Sequence, residues 1–94
     1  MENKYRLLRA VARRLELPAG VLLGDPGIEL SGRTELTVHR HRGIAAYDAG
    51  CVRILTSLGM LQVRGSGLLI RRMNRESVVL LGRIDALEFE GERT

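Results

Sequence analysis

The 94-residue chain has no tryptophan, and its only aromatic residues are Tyr5, Tyr47 and Phe89, 3% of the total. That scarcity excludes an aromatic stacking platform for single-stranded nucleic acid. The single cysteine, Cys51, excludes an intrachain disulfide and any zinc site built from several thiolates. Cys51 falls in a strand-like stretch, Cys51-Val52-Arg53-Ile54-Leu55, with no visible base to lower its pKa, so it reads as a small buried hydrophobe. No hydrophobic run approaches the ~20 residues that a membrane-crossing helix needs, and no stretch reads as a signal peptide. The expectation is a soluble, cytoplasmic chain.

What is present is ordinary for a folded protein: 45% hydrophobic residues, chiefly Leu, Val, Ile and Ala in short packets. A chain of this size makes one domain and buries only roughly 60–65% of the surface its unfolded form exposes. Its stability margin is therefore thin, and self-association or docking on a partner is expected. Lys and Arg number 15 against 11 Asp and Glu, a net charge of +4. Arg6, Arg9, Arg13 and Arg14 crowd the start, Arg40 and Arg42 follow, and Arg71, Arg72 and Arg75 come later. Glu88, Glu90 and Glu92 make the end acidic. Opposite signs at the two ends suit head-to-tail self-contact as well as an external anion.

The spacing of apolar residues divides the chain into 1–17 and 18–94. In the first part Leu7, Leu8, Val11, Ala12 and Leu15 form one stripe at helical period, with Arg6, Arg9 and Arg13 on the opposite face. Pro18 ends this basic amphipathic helix. So short a helix is marginal alone, so its stripe needs a cover: the rest of the domain, a membrane interface or a partner helix.

After Pro18 the period changes to two. Apolar residues alternate around Glu29, Thr37, Arg53, Gln62, Leu69, Val79 and Glu88, and Gly-rich punctuation at 31–32, 42–43, 49–50, 58–59, 65–67, 74 and 82 supplies turns. This predicts a mainly β domain of about seven or eight short strands in an antiparallel meander or roll, with a β-solenoid coil as the alternative. Val78-Val79-Leu80-Leu81, the one continuous apolar run, reads as the most deeply buried strand.

Candidate chemistry is sparse. His39 and His41 fall on one face of a strand by alternation, where two imidazoles could share an ion. No third ligand lies nearby except Asp48, and Arg40 and Arg42 would repel a divalent cation, so no metal is expected. Gly65-Ser66-Gly67 lacks the Lys-Ser/Thr of a phosphate loop and opens a strand. Carboxylates are scattered singly, which gives no acid–base pair, and short turns leave little room for a substrate cavity. No enzyme activity, cofactor or small-molecule substrate is expected. With no helix-turn-helix or zinc-finger pattern, any nucleic-acid contact would be electrostatic and nonspecific. The candidate interaction residues are Arg6, Arg9 and Arg13 on the helix, with His41 and Arg42 at a basic hairpin end.

A set of short motifs occurs in order. Leu17-Pro18 with Val21-Leu22 precedes Pro26-Gly27-Ile28-Glu29-Leu30-Ser31-Gly32, then His41-Arg42-Gly43-Ile44 with Tyr47, and Ile54-Leu55-Thr56-Ser57-Leu58-Gly59. Gly65-Ser66-Gly67-Leu68-Leu69-Ile70 and Gly82-Arg83-Ile84-Asp85-Ala86-Leu87-Glu88-Phe89 complete it. The ordered set resembles the YabP/YqfC family of sporulation proteins from endospore-forming bacteria. One departure is visible: the family usually has Asn before His-Arg-Gly, where this chain has Arg40. The resemblance implies a non-enzymatic mother-cell protein needed for spore formation, cytoplasmic or peripheral at the forespore membrane. It also implies a membrane-embedded sporulation partner or self-assembly, with no catalytic residues to carry over. An electrostatic binder of anionic lipid or nucleic acid through the Arg-rich helix is the alternative.

Overall fold

The computed structural model describes residues 24–90. The helix expected over 1–17, and with it Arg6, Arg9 and Arg13, lies outside the described residues. The described chain is all β: β1 (Gly27–Ser31), β2 (Glu35–His39), β3 (Ile44–Asp48), β4 (Cys51–Thr56), β5 (Gly59–Met73) and β6 (Ser77–Glu90). They form one antiparallel sheet in the order β1-β2-β6-β5-β4-β3. Antiparallel pairing throughout rules out the solenoid alternative.

Six strands replace the expected seven or eight. The stretches 61–63 and 68–70 belong to a single strand, β5, and 78–80 and 87–89 to a single strand, β6. Gly65, Gly67 and Gly82 are therefore not turns. They sit where the β5–β6 ladder shifts register, between Arg64 and Gly65 and between Ser66 and Leu69, and they let both long strands bend there. A Cβ on Gly65 would stand 1.9 Å from the Arg83 carbonyl oxygen, and one on Gly82 would stand 2.6 Å from that of Gly67. Glycine is required because the two backbones cross too closely for any side chain. In the other direction, Ile44-Ala45-Ala46-Tyr47 forms β3 although its adjacent alanines and the bulge between Ile44 and Ala46 hide the alternation.

The bend divides the sheet into two halves. On one side β1 pairs with β2, β2 pairs with β6 at 77–81, and that stretch of β6 pairs in turn with β5 at 69–73. On the other, β3 pairs with β4, β4 pairs with β5 at 59–64, and that stretch of β5 pairs with β6 at 86–90. The strict meander fails at one step only, where the chain leaves β2 in the first half to enter β3 in the second.

One apolar cluster joins the halves. Leu36, Val38, Val78 and Leu80 come from the first, Val52, Ile54, Leu61 and Val63 from the second, and Leu68 and Ile84 from the bend. Directly opposed residues share a face of the sheet, so Leu36 against Leu80 and Ile54 against Leu61 form aligned apolar rows. Each such side chain contributes roughly 1.5–3 kcal/mol when fully buried. Val78 and Leu80 are fully buried, as the apolar run suggests, while Val79 and Leu81 on the other face are half-buried.

Candidate functional site

The step from β2 to β3 builds the most elaborate polar structure in the molecule. β2 ends at His39, and Arg40 adopts φ 61°, a left-handed conformation uncommon outside glycine, asparagine and aspartate. Gly43 at φ 125° completes the reversal. The Arg40 N–H donates to the Glu76 carbonyl at 2.5 Å, and the Arg40 guanidinium Nε donates to the Asp25 carbonyl at 2.5 Å. The Arg42 N–H donates to the Leu55 carbonyl at 2.7 Å, and the Leu55 N–H donates to that of Gly43 at 2.8 Å.

His41 closes the corner against the β5–β6 turn. Its Nδ1 accepts the Gly43 N–H at 3.0 Å, so the proton of the neutral ring resides on Nε2, which donates to the Asn74 carbonyl at 2.9 Å. Asn74 shapes that turn in its own right: its Oδ1 accepts the N–H groups of Glu76 and Ser77, each at 2.8 Å. Both nitrogens of His41 are thus engaged with backbone. His39 points elsewhere, its Nε2 lying 3.6 Å from Glu29 Oε1. The expectation that the two imidazoles share a strand face is corrected, because alternation stops at the left-handed Arg40. Among the described residues no three His, Cys, Asp or Glu side chains come together as metal ligands. Cys51 is half-buried in β4.

The arginines sort by position. Away from the His41 corner, Arg33 in the β1–β2 turn and Arg83 on β6 both reach Asp85, at 2.7 and 3.2 Å, and Arg64 reaches Glu88 at 3.2 Å. Arg53 on β4 grips Glu90 on β6 with two bonds of 2.9 and 2.7 Å, spanning the intervening β5. That forked hydrogen bond, with the charge attraction it carries, holds the Glu90 carboxyl below the usual carboxylate range and raises Arg53. Arg42, Arg71, Arg72 and Arg75 are exposed, and none has a carboxylate oxygen within 4.0 Å among the described residues. The His41 strap draws the segment carrying Arg42 to the turn beside Arg71, Arg72 and Arg75. Arg42 and the three later arginines thereby belong to one basic end, whose turn also carries the exposed Glu76. Exposed Leu69 and Met73 lie on the same arm.

Of the residues read from sequence as interaction candidates, the structure places His41 and Arg42 at this end. The sequence reading took Asn74 as a turn residue but missed its contact with His41, the Glu76 carbonyl and the joining of the three later arginines to Arg42. Only the Asn74 turn left a sequence signal; the pairing of corner with turn depends on the sheet order. At the opposite side of the fold a groove of ≈ 360 Å³ is lined by Leu30, Gly32, Arg33, Ile84, Asp85, Ala86 and Leu87.

The described residues thus form a small two-halved antiparallel sheet with a histidine-strapped corner and strand edges that carry no partner strand. The chain belongs to the YabP family, whose model matches residues 24–94. It is similar to uncharacterized protein YqfC of Bacillus subtilis (strain 168), with 27% identity over 88 residues covering 94% of this chain and 95% of that protein. The membership suggests a sporulation-related protein, in agreement with the resemblance read from the motifs.

Proposed function

We propose that this protein is a non-enzymatic component of endospore formation that acts as a small β-sheet interaction module. It works in the mother-cell cytoplasm, peripherally at the forespore membrane, by binding a membrane-embedded sporulation protein or further copies of itself. The observation that carries this reading is the YabP-family match across all the described sheet. It is supported by the strand edges, which offer backbone donors and acceptors to an added strand. Crosslinking in sporulating cells, followed by identification of the attached protein, tests it. A multi-pass membrane protein or the chain itself should be recovered. A strictly monomeric protein that retains no sporulation membrane protein in pull-downs sinks the reading.

The basic end favours a second reading, an electrostatic contact with anionic lipid. Four arginines without carboxylate partners, next to exposed Leu69 and Met73, suit a phospholipid surface. Binding to vesicles containing phosphatidylserine should then fall steeply as salt rises and should be lost when Arg71, Arg72 and Arg75 become Ala. Salt-independent binding, or none, dismisses it. The Arg6, Arg9 and Arg13 version of this contact predicts loss on changing those three instead.

A further inference from the structure

The bend in the long hairpin leaves two strand edges with complementary chemistry. Residues 69–73 of β5 pair with β6 on one side only, since β4 pairs with β5 at 59–64. Residues 86–90 of β6 pair with β5 on one side only, since β2 pairs with β6 at 77–81. Among the described residues the outer side of each carries no partner strand. The two edges are of equal length.

Their side chains match face by face. On the β5 edge, Ile70 and Met73 oppose buried Leu80 and Val78 and so belong to the core face, while Arg72 opposes Val79 on the outer face. On the β6 edge, Leu87 and Phe89 oppose buried Val63 and Leu61 on the core face, while Glu88 opposes Gln62 on the outer face. Both core faces run out into exposed apolar residues: Met73 is 52% accessible and Phe89 38%. The groove lined by Leu30, Ile84, Ala86 and Leu87 flanks the start of the β6 edge and offers room for apolar side chains of an incoming strand. The outer face is basic on one edge and acidic on the other.

We infer that the chain assembles head to tail, the β5 edge (Leu69–Met73) of one copy adding to the β6 edge (Ala86–Glu90) of the next. Strand addition joins the first half-sheet of one copy to the second half-sheet of its neighbour. Ile70 and Met73 then extend the apolar row of Leu87 and Phe89, and Arg72, with Arg71 next to it at the register shift, meets Glu88, which its contact to Arg64 leaves 58% accessible. Because the two surfaces differ, the contact is heterologous and propagates into a closed ring or an open filament, not a two-fold dimer. This specifies the self-assembly branch of the proposed function and rests on it.

Sedimentation velocity on the full chain over a concentration series tests the inference. The wild type should grow in mass beyond a dimer as concentration rises. R71E/R72E, acidic on both edges, and E88R, basic on both, should each stay monomeric at concentrations where the wild type is assembled. An equimolar mixture of the two variants should regain assembly, because each supplies the edge the other lacks. The milder pair R72Q and E88Q, which create no like-charge edge and keep the sheet intact, should each weaken assembly without abolishing it.

A wild type that stays monomeric throughout overturns the inference, as does assembly that none of these variants alters or that stops at a two-fold dimer. Assembly that begins only after residues 1–17 are removed also overturns it, since that segment would then be the groove's natural occupant. Recovery of a membrane protein by crosslinking, with a monomeric wild type, leaves the proposed function standing while this inference falls. Assembly of the purified chain through these edges, with neither the chain itself nor a membrane protein crosslinked to it in sporulating cells, does the reverse.

Discussion

Arg40 shows how one backbone angle organises a corner. A side chain other than glycine, asparagine or aspartate in the left-handed region costs about 1–2 kcal/mol. Arg40 bears that cost at φ 61° while its guanidinium holds the Asp25 carbonyl. The family pattern has Asn at this position, and Asn tolerates the left-handed region through its short polar side chain. Replacing Arg40 by Asn or by Ala removes the same guanidinium contact, so comparing the two isolates the backbone contribution. Arg40→Asn should be more stable than Arg40→Ala by about 0.5–1 kcal/mol in urea unfolding. Equal stabilities would show that the angle is not maintained. At His41, Ala substitution removes an acceptor for the Gly43 N–H and a donor to Asn74. The expected loss is roughly 1–2 kcal/mol. The family motif reaches His41-Arg42-Gly43, so the corner's residues were legible. The strap's far end was not, because Asn74 reaches His41 only through the sheet order.

Among the elements, the long hairpin decides the architecture, and two contrasts test it. Gly65→Ala sets a methyl group 1.9 Å from the Arg83 carbonyl oxygen, whereas Gly67→Ala, at φ 61°, meets nothing within 4 Å. Gly67→Ala should therefore cost only the left-handed penalty of about 1–2 kcal/mol. Gly65→Ala should cost clearly more, and thermal melts of the two variants measure the gap. Arg53 and Glu90 clamp β4 to β6 over β5. Since the folded Glu90 carboxyl lies below its usual range, its contribution is present above the ordinary carboxylate value of about 4.3 and is lost as pH falls through the depressed one. The stability difference between wild type and Glu90→Gln should hold near neutrality and vanish in acid, as urea titrations across that range would reveal.

These elements also mark where alternation informs and where it misleads. β1, β2 and β4 are readable because Glu29, Thr37 and Arg53 sit between apolar neighbours, and in β2 and β4 those neighbours are buried while in β1 Ile28 and Leu30 stay exposed. The same glycine signal that correctly marks the tight turns at Gly32, Gly50 and Gly59 marks bulges at Gly65 and Gly82. What separates the two cases is the close approach of a second strand, a tertiary fact absent from local sequence. β3 escapes notice because alanine is weakly apolar and its bulge shifts the phase.

For the molecule as a whole, stability rests on one apolar cluster shared by both halves, with no second core to fall back on among the described residues. Leu36→Ala or Leu80→Ala should remove roughly 2–5 kcal/mol, a large part of what a small domain has. Both variants should lose β signal by circular dichroism near physiological temperature. Mutating the exposed Leu58, 53% accessible, should leave melting nearly unchanged. The mainly β class was legible from the change of period after Pro18, and the basic end from its scattered arginines. Their convergence was not, because it requires the chain to cross between half-sheets at 40–43.

The strand order bears on synthesis as well. Of the six described strands the two at the centre of the sheet are made last, and each earlier hairpin attaches to one of them. While a ribosome has translated no further than β4, β1–β2 and β3–β4 have no template to pair against and remain isolated hairpins, which are marginal in water. Collapse therefore waits until the C-terminal hairpin has emerged. Ribosome-stalled chains ending before Glu90 should be cut readily by protease, and released full-length chains should resist.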